Sequence, residues 1–167
     1  MNTPSFENLS RMRPRAVANV KGDEAHSGIR GKVWFYQTTY GAIVLADIMG
    51  LPKATNKCNS PIFAFHIHEG KLCAGTKQDP FAKTKTHFTP TNCPHPYHAG
   101  DLPPLFGADG NALLMVLTNK FRVRDIVGKT VVVHQNPDDF TTQPSGNSGA
   151  KIACGEIKAI CSMHCNA

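Results

Sequence analysis

Long apolar runs, charge and helical periodicity are all scarce in this chain of 167 residues. No apolar stretch approaches the ~18 residues of a membrane-spanning helix, so none is expected. Charged residues make up 18% and aromatics 8%, with one tryptophan. The net charge of +6 suits an anionic partner. The basic residues are scattered, however, and few aromatics accompany them, which argues against a nucleic-acid surface. Met1–Val20 carries Arg11, Arg13 and Arg15 but no apolar core of a signal peptide. Either the protein stays in the cytoplasm, or the chain starts after a removed leader and works in a periplasmic or secreted setting. One absence is local: the stretch Asn136–Ala150 has no Lys, Arg or Glu, so cations that steer an anion must come from elsewhere.

What the chain does have is short runs of strand character, which predict an all-β domain over residues 15–160. Met1 to Pro14 has no apolar period and reads as a flexible tail, and residues 161–167 as a second tail carrying Cys and His. The expected strands are Arg15–Val20, Ile29–Tyr36, Tyr40–Ile48, Pro61–Glu69, Ala112–Leu117, Lys129–His134 and Ile152–Ile160. Ile29, Gly31, Val33 and Phe35 share one face by the period of two. Asp109-Gly110-Asn111 reads as a turn. Gly70–Leu105 and Asn136–Gly149 lack periodicity and are expected as two long loops. Several short strands with two long loops suggest a Greek-key sandwich or barrel. An unstructured connection of that length is unusual in a compact domain unless something such as bound metal orders it.

The candidate ligands lie where that ordering is needed. His66 and His68 alternate on an expected strand and so project from one face. His87, His95, His98 and Asp101 follow from a Gly/Pro-rich loop. Imidazole suits copper and zinc, and one carboxylate is common among nitrogen ligands of zinc. A lone histidine is ordinarily a surface or hydrogen-bonded residue; five with an aspartate at this spacing point to a metal site.

Together, Phe65-His-Ile-His-Glu, His87-Phe-Thr-Pro, His98-Ala-Gly-Asp-Leu, Val131-Val-Val-His and Gly149-Ala-Lys-Ile-Ala-Cys-Gly resemble the copper/zinc superoxide dismutases, in the family's order from about Arg15 to Ile160. The short interval from His68 to Cys73 and the run Gly100-Asp-Leu-Pro-Pro-Leu are similar to the bacterial branch. The resemblance implies copper held by His66, His68, His87 and His134, and zinc held by His87, His95, His98 and Asp101. His87 would bridge the two metals. It also implies that Asp138 hydrogen-bonds ligands of both metals, and that Cys73 and Cys154 form a disulfide tying the metal loop to the last strand. The implied activity converts superoxide to oxygen and hydrogen peroxide by copper redox cycling, with His87 passing a proton to the product and zinc positioning that imidazole.

Two departures stand out. Where the family usually has an arginine, three residues before the second disulfide cysteine, this chain has Lys151. Lysine keeps the charge but lacks the rigid donor fork of guanidinium, so slower turnover is expected. Lys71, Lys77, Lys83 and Lys85 are the candidate steering cations. Cys58, Cys93, Cys161 and Cys165 have no counterpart in the family pattern. They can form further disulfides, stay as thiols, or bind another metal ion with His164. These departures motivate an alternative, a copper-binding or copper-buffering protein of the same fold with little or no turnover. Whether the chain is a monomer or a homodimer is not legible in the sequence.

Overall fold

The computed structural model describes residues 11–56 and 61–160. Cys58, Cys161, His164 and Cys165, and most of the expected amino-terminal tail, lie outside the described residues. Eight strands follow in order: β1 (Ala16–Gly22), β2 (Arg30–Gln37), β3 (Ala42–Met49), β4 (Ile62–His68), β5 (Asp101–Phe106), β6 (Asn111–Thr118), β7 (Thr130–His134) and β8 (Lys151–Ala159). All neighbours pair antiparallel, in the spatial order β5-β4-β7-β8-β1-β2-β3-β6. The end strands β5 and β6 approach one another and nearly close a barrel. The chain crosses between β3 and β4 and again between β6 and β7, as a Greek key requires.

Alternation along the strands builds the core. Val33 and Phe35 of β2, Val44, Ala46 and Ile48 of β3, and Ala16, Ala18 and Val20 of β1 are fully or almost fully buried in one cluster. The connection between β5 and β6 turns at Asp109 and Gly110, both at positive φ (50° and 85°), and is closed by an isolated bridge between Ala108 and Asn111.

β4 and β7 differ because both their faces are buried. Phe63, Phe65 and Ile67 of β4 and Val131 and Val133 of β7 enter the barrel core. The opposite faces carry His66, His68 and His134, covered by the loops 69–100 and 135–150. Val132 packs there with Phe81 and the disulfide Cys73–Cys154.

Two sequence expectations need correction. The stretch Gly70–Leu105 is not wholly irregular: it contains a 3-10 turn at Ala82–Thr84 and ends in β5. Pro103-Pro104 hides that strand, since proline cannot donate to a ladder. β5 accommodates the pair because it is an end strand that pairs only with β4. A short helix, α1, spans Val123–Ile126, where Asp125 caps Arg122 N–H at 2.8 Å. At four residues it is too short to leave a helical period in the sequence.

Candidate metal centre

Register brings the strand-borne groups together. His66 of β4 lies opposite Val132 of β7 on one side and Asp101 of β5 on the other. His68 forms an isolated bridge to His87, and His134 pairs with Lys151 across an irregularity in the β7–β8 ladder. The loop-borne groups are placed by backbone pinning. Phe88 N–H donates to Ile67 O and Gly100 N–H to Phe88 O, each at 2.8 Å. The side chain of Gln143 clamps the His95 backbone, accepting from its N–H (3.1 Å) and donating to its carbonyl (2.6 Å).

Two groups of ligand atoms result. His66, His68, His87 and His134 form one, and His87, His95, His98 and Asp101 the other, with the atoms of each group within 4.8 Å of one another. All six histidines are buried. His87 belongs to both groups: Nδ1 lies 2.8 Å from Asp101 Oδ1 and 3.4 Å from His98 Nδ1, while Nε2 is buried without a hydrogen-bond partner.

Hydrogen bonds outside the centre fix the tautomers. A carboxylate or carbonyl oxygen only accepts, so a ring nitrogen bonded to it carries the proton and the other nitrogen keeps a lone pair. His66 donates through Nε2 to Asp138 Oδ2 (2.8 Å), and His95 through Nε2 to Asp138 Oδ1 (2.9 Å). The Nδ1 atoms of both are buried without a hydrogen-bond partner. His68 donates through Nδ1 to Lys85 O (2.9 Å) and His134 through Nδ1 to Gly149 O (3.4 Å). Their Nε2 lone pairs then face each other at 3.2 Å. Lone pairs that converge with no protein donor among them suit a bound cation. The donor sets, four imidazole nitrogens in one group and three with a carboxylate in the other, suit copper and zinc respectively.

Electrostatics point the same way. Burial lowers the basicity of His66, His68 and His98, and it takes His134 down to about 3, with the charge of His66 adding to the effect. These rings therefore stay neutral and available as ligands at ordinary pH. Burial alone would raise Asp138, but hydrogen bonds from His66, Phe140 N–H and His95 outweigh it and bring the carboxyl to about 2. Asp101 is likewise held low against burial, chiefly by its hydrogen bond with His87.

Several supporting residues left no sequence signal. Gln143 acts from the middle of a polar loop. Gly146, at φ 66°, leaves room where a Cβ would strike the Asp138 carboxylate and His95. The acceptors Lys85 O and Gly149 O are backbone atoms, which residue identity does not reveal. A channel of about 350 Å³ reaches the first group; its lining includes His68, His87, His134, Lys85, Cys93 and Lys151. Cys93 is partly buried, with its sulfur 3.2 Å from Thr91 Oγ1. Of the candidate steering cations, Lys85 lines this channel, and Lys77 lines a neighbouring cavity instead.

Comparison with known proteins gives a consistent result. Residues 29–157 match the family model described as copper/zinc superoxide dismutase. A relative from Aquifex aeolicus, named superoxide dismutase Cu-Zn 2, is 33% identical over 143 residues, covering 77% of this chain and 78% of that protein. The Legionella pneumophila Cu-Zn superoxide dismutase is 32% identical over 136 residues, covering 77% of each. The solved structure of Cu/Zn superoxide dismutase from Brucella abortus superposes with a TM-score of 0.70 at 25% identity, covering 84% of this chain and 98% of that one. With its Greek-key barrel and histidine groups already described, the chain belongs to the copper/zinc superoxide dismutase family.

Proposed function

We propose that this protein dismutates superoxide at a copper centre held by His66, His68, His87 and His134, beside a zinc centre held by His87, His95, His98 and Asp101. The observation that carries the assignment is His87, which presents Nδ1 to one group and an unpartnered Nε2 to the other. Copper bound there supplies the one-electron redox chemistry that superoxide dismutation needs.

The chain's residues do the rest. The channel admits a small anion to the face of the first group, with Lys151 and Lys85 as its cationic lining. His87 Nε2 opens toward that group and can hold the proton that the peroxide product requires. Asp138 holds His66 and His95 in fixed orientation and so ties the two centres together. Zinc has no redox chemistry of its own. The histidines around it lie on a loop that backbone bonds at Phe88 and Gly100 hold against β4. Gln143 ties that loop to the loop 135–150, and the disulfide ties it to β8.

A dismutation assay tests this directly, run on the metal-free protein and after reconstitution with copper and zinc, with metal content measured. Fast turnover that depends on copper is expected. Full metal occupancy without turnover would leave a copper-binding or copper-buffering protein on this scaffold.

A further inference from the structure

Lys151 stands between two different surroundings. On one side is the channel, whose charged lining is Lys85 and Lys151. On the other is a cavity of about 730 Å³ whose charged lining is Asp23, Glu24, Lys77, Asp79 and Lys151. The ammonium is turned to the acidic side: Nζ lies 3.0 Å from Asp79 Oδ2 and donates to Phe81 O at 3.3 Å. The side chain of Lys151 is only 16% exposed, against 46% for Asp79.

Asp79 is itself held in a built turn. Its N–H donates to Thr76 Oγ1 (3.1 Å), its carbonyl accepts from Thr76 N–H (2.9 Å) and Ala82 N–H (3.1 Å), and Oδ1 accepts from Phe81 N–H (3.1 Å). Oδ2 is thereby aimed at Lys151. An ammonium has three protons to donate, and two are taken. An incoming anion meets one free donor and a charge largely offset by its neighbour.

From this we infer that Asp79 is a positioning residue that restrains Lys151, setting the channel's affinity for small anions below what the lysine alone would give. The inference rests on the proposed copper centre only for its consequence on dismutation; the restraint itself is a property of the Asp79–Lys151 pair. Removing the carboxylate charge should free the ammonium to face the channel. A half-exposed ion pair of this kind corresponds to roughly a two- to fivefold change in an equilibrium constant.

The test is azide binding, followed by the visible absorbance of the copper- and zinc-loaded protein, for wild type, Asp79→Asn, Lys151→Gln and the double variant, at low and high ionic strength. Asp79→Asn should bind azide about two- to fivefold more tightly at low salt, with the gain shrinking as the Debye length falls. In the Lys151→Gln background the same substitution should give little gain. Unchanged or weaker binding by Asp79→Asn would overturn the inference. So would an equal gain without Lys151, because Asp79 would then act through the general field. Asp79→Ser keeps an oxygen for Phe81 N–H and takes the place of Asp79→Asn if that variant fails to fold. Dismutation is measured on the same samples. A wild type that binds azide but does not turn over would sink the proposed function and leave the azide comparison interpretable.

Discussion

The two halves of the metal centre are built by different means. His66, His68 and His134 stand on β4 and β7, held by ladders that run through the middle of the sheet. His95 and His98 stand on the loop 69–100, which has one short 3-10 turn and relies on scattered backbone bonds, the Gln143 clamp and the disulfide. The first set is fixed by the same pairing that makes the barrel. The second is fixed by a few side chains and is therefore the half that single substitutions should loosen.

The largest effect is expected at the disulfide. Cys73 and Cys154 are separated by 81 residues, and closing a loop of that length contributes about 4–5 kcal/mol by the chain-entropy model. Cys73→Ser should lower unfolding stability accordingly. Hydrogen exchange should rise first in 69–100 and only later in β4 and β7; uniform exchange throughout would erase the distinction between the halves.

Acid should act next, in one direction. The metal-free folded protein keeps His134 near 3, against an ordinary histidine value of 6.5. Between those values the unfolded chain binds a proton that the folded chain does not. Stability is thus fully present above about pH 6.5 and lost as pH falls toward 3. His68 is shifted in the same sense, and Asp138 extends the loss from 3.8 down to about 2. The melting temperature of metal-free protein should fall steadily on acidification; a flat profile from pH 6.5 to 4 would contradict the burial argument.

Asp138 is the strap between the halves. An amide keeps one acceptor oxygen and places a donor where the second was, so Asp138→Asn can satisfy His66 or His95 but not both. Metal affinity should drop roughly 10–100-fold, with zinc lost more readily than copper because three of its four ligands are loop-borne. Competition with a chelator measures both, and equal loss of the two metals would show that the strap serves them alike. The smallest effect is expected at Lys151. Lys151→Arg supplies a planar fork and should speed dismutation by about two- to fivefold; a rate equal to wild type would remove lysine as a limit on turnover.

Much of this was legible in sequence. Seven strands appear as short runs of strand character: most alternate because one face lies in the core, whereas β4 and β7 read as near-continuous apolar runs because both their faces are buried. β5 was hidden by its proline pair, and α1 by its length. Five of the histidines stood out because they cluster with Asp101 within 36 residues; His134 entered as a ligand only through the resemblance to the family. Their supporting cast did not: Gln143, Gly146, Lys85 O and Gly149 O work through backbone placement, and the pairing of Lys151 with Asp79 joins positions 72 residues apart.

Local composition alone thus determined the all-β character, the two loops and the stock of ligand side chains, since these depend on side-chain chemistry and a period of two. Tertiary structure decided which lone pairs converge, which proton each ring carries and which way Lys151 points. Those are set by distances of about 3 Å between segments remote in the chain, where hydrogen-bond direction and burial, rather than residue identity, select one arrangement.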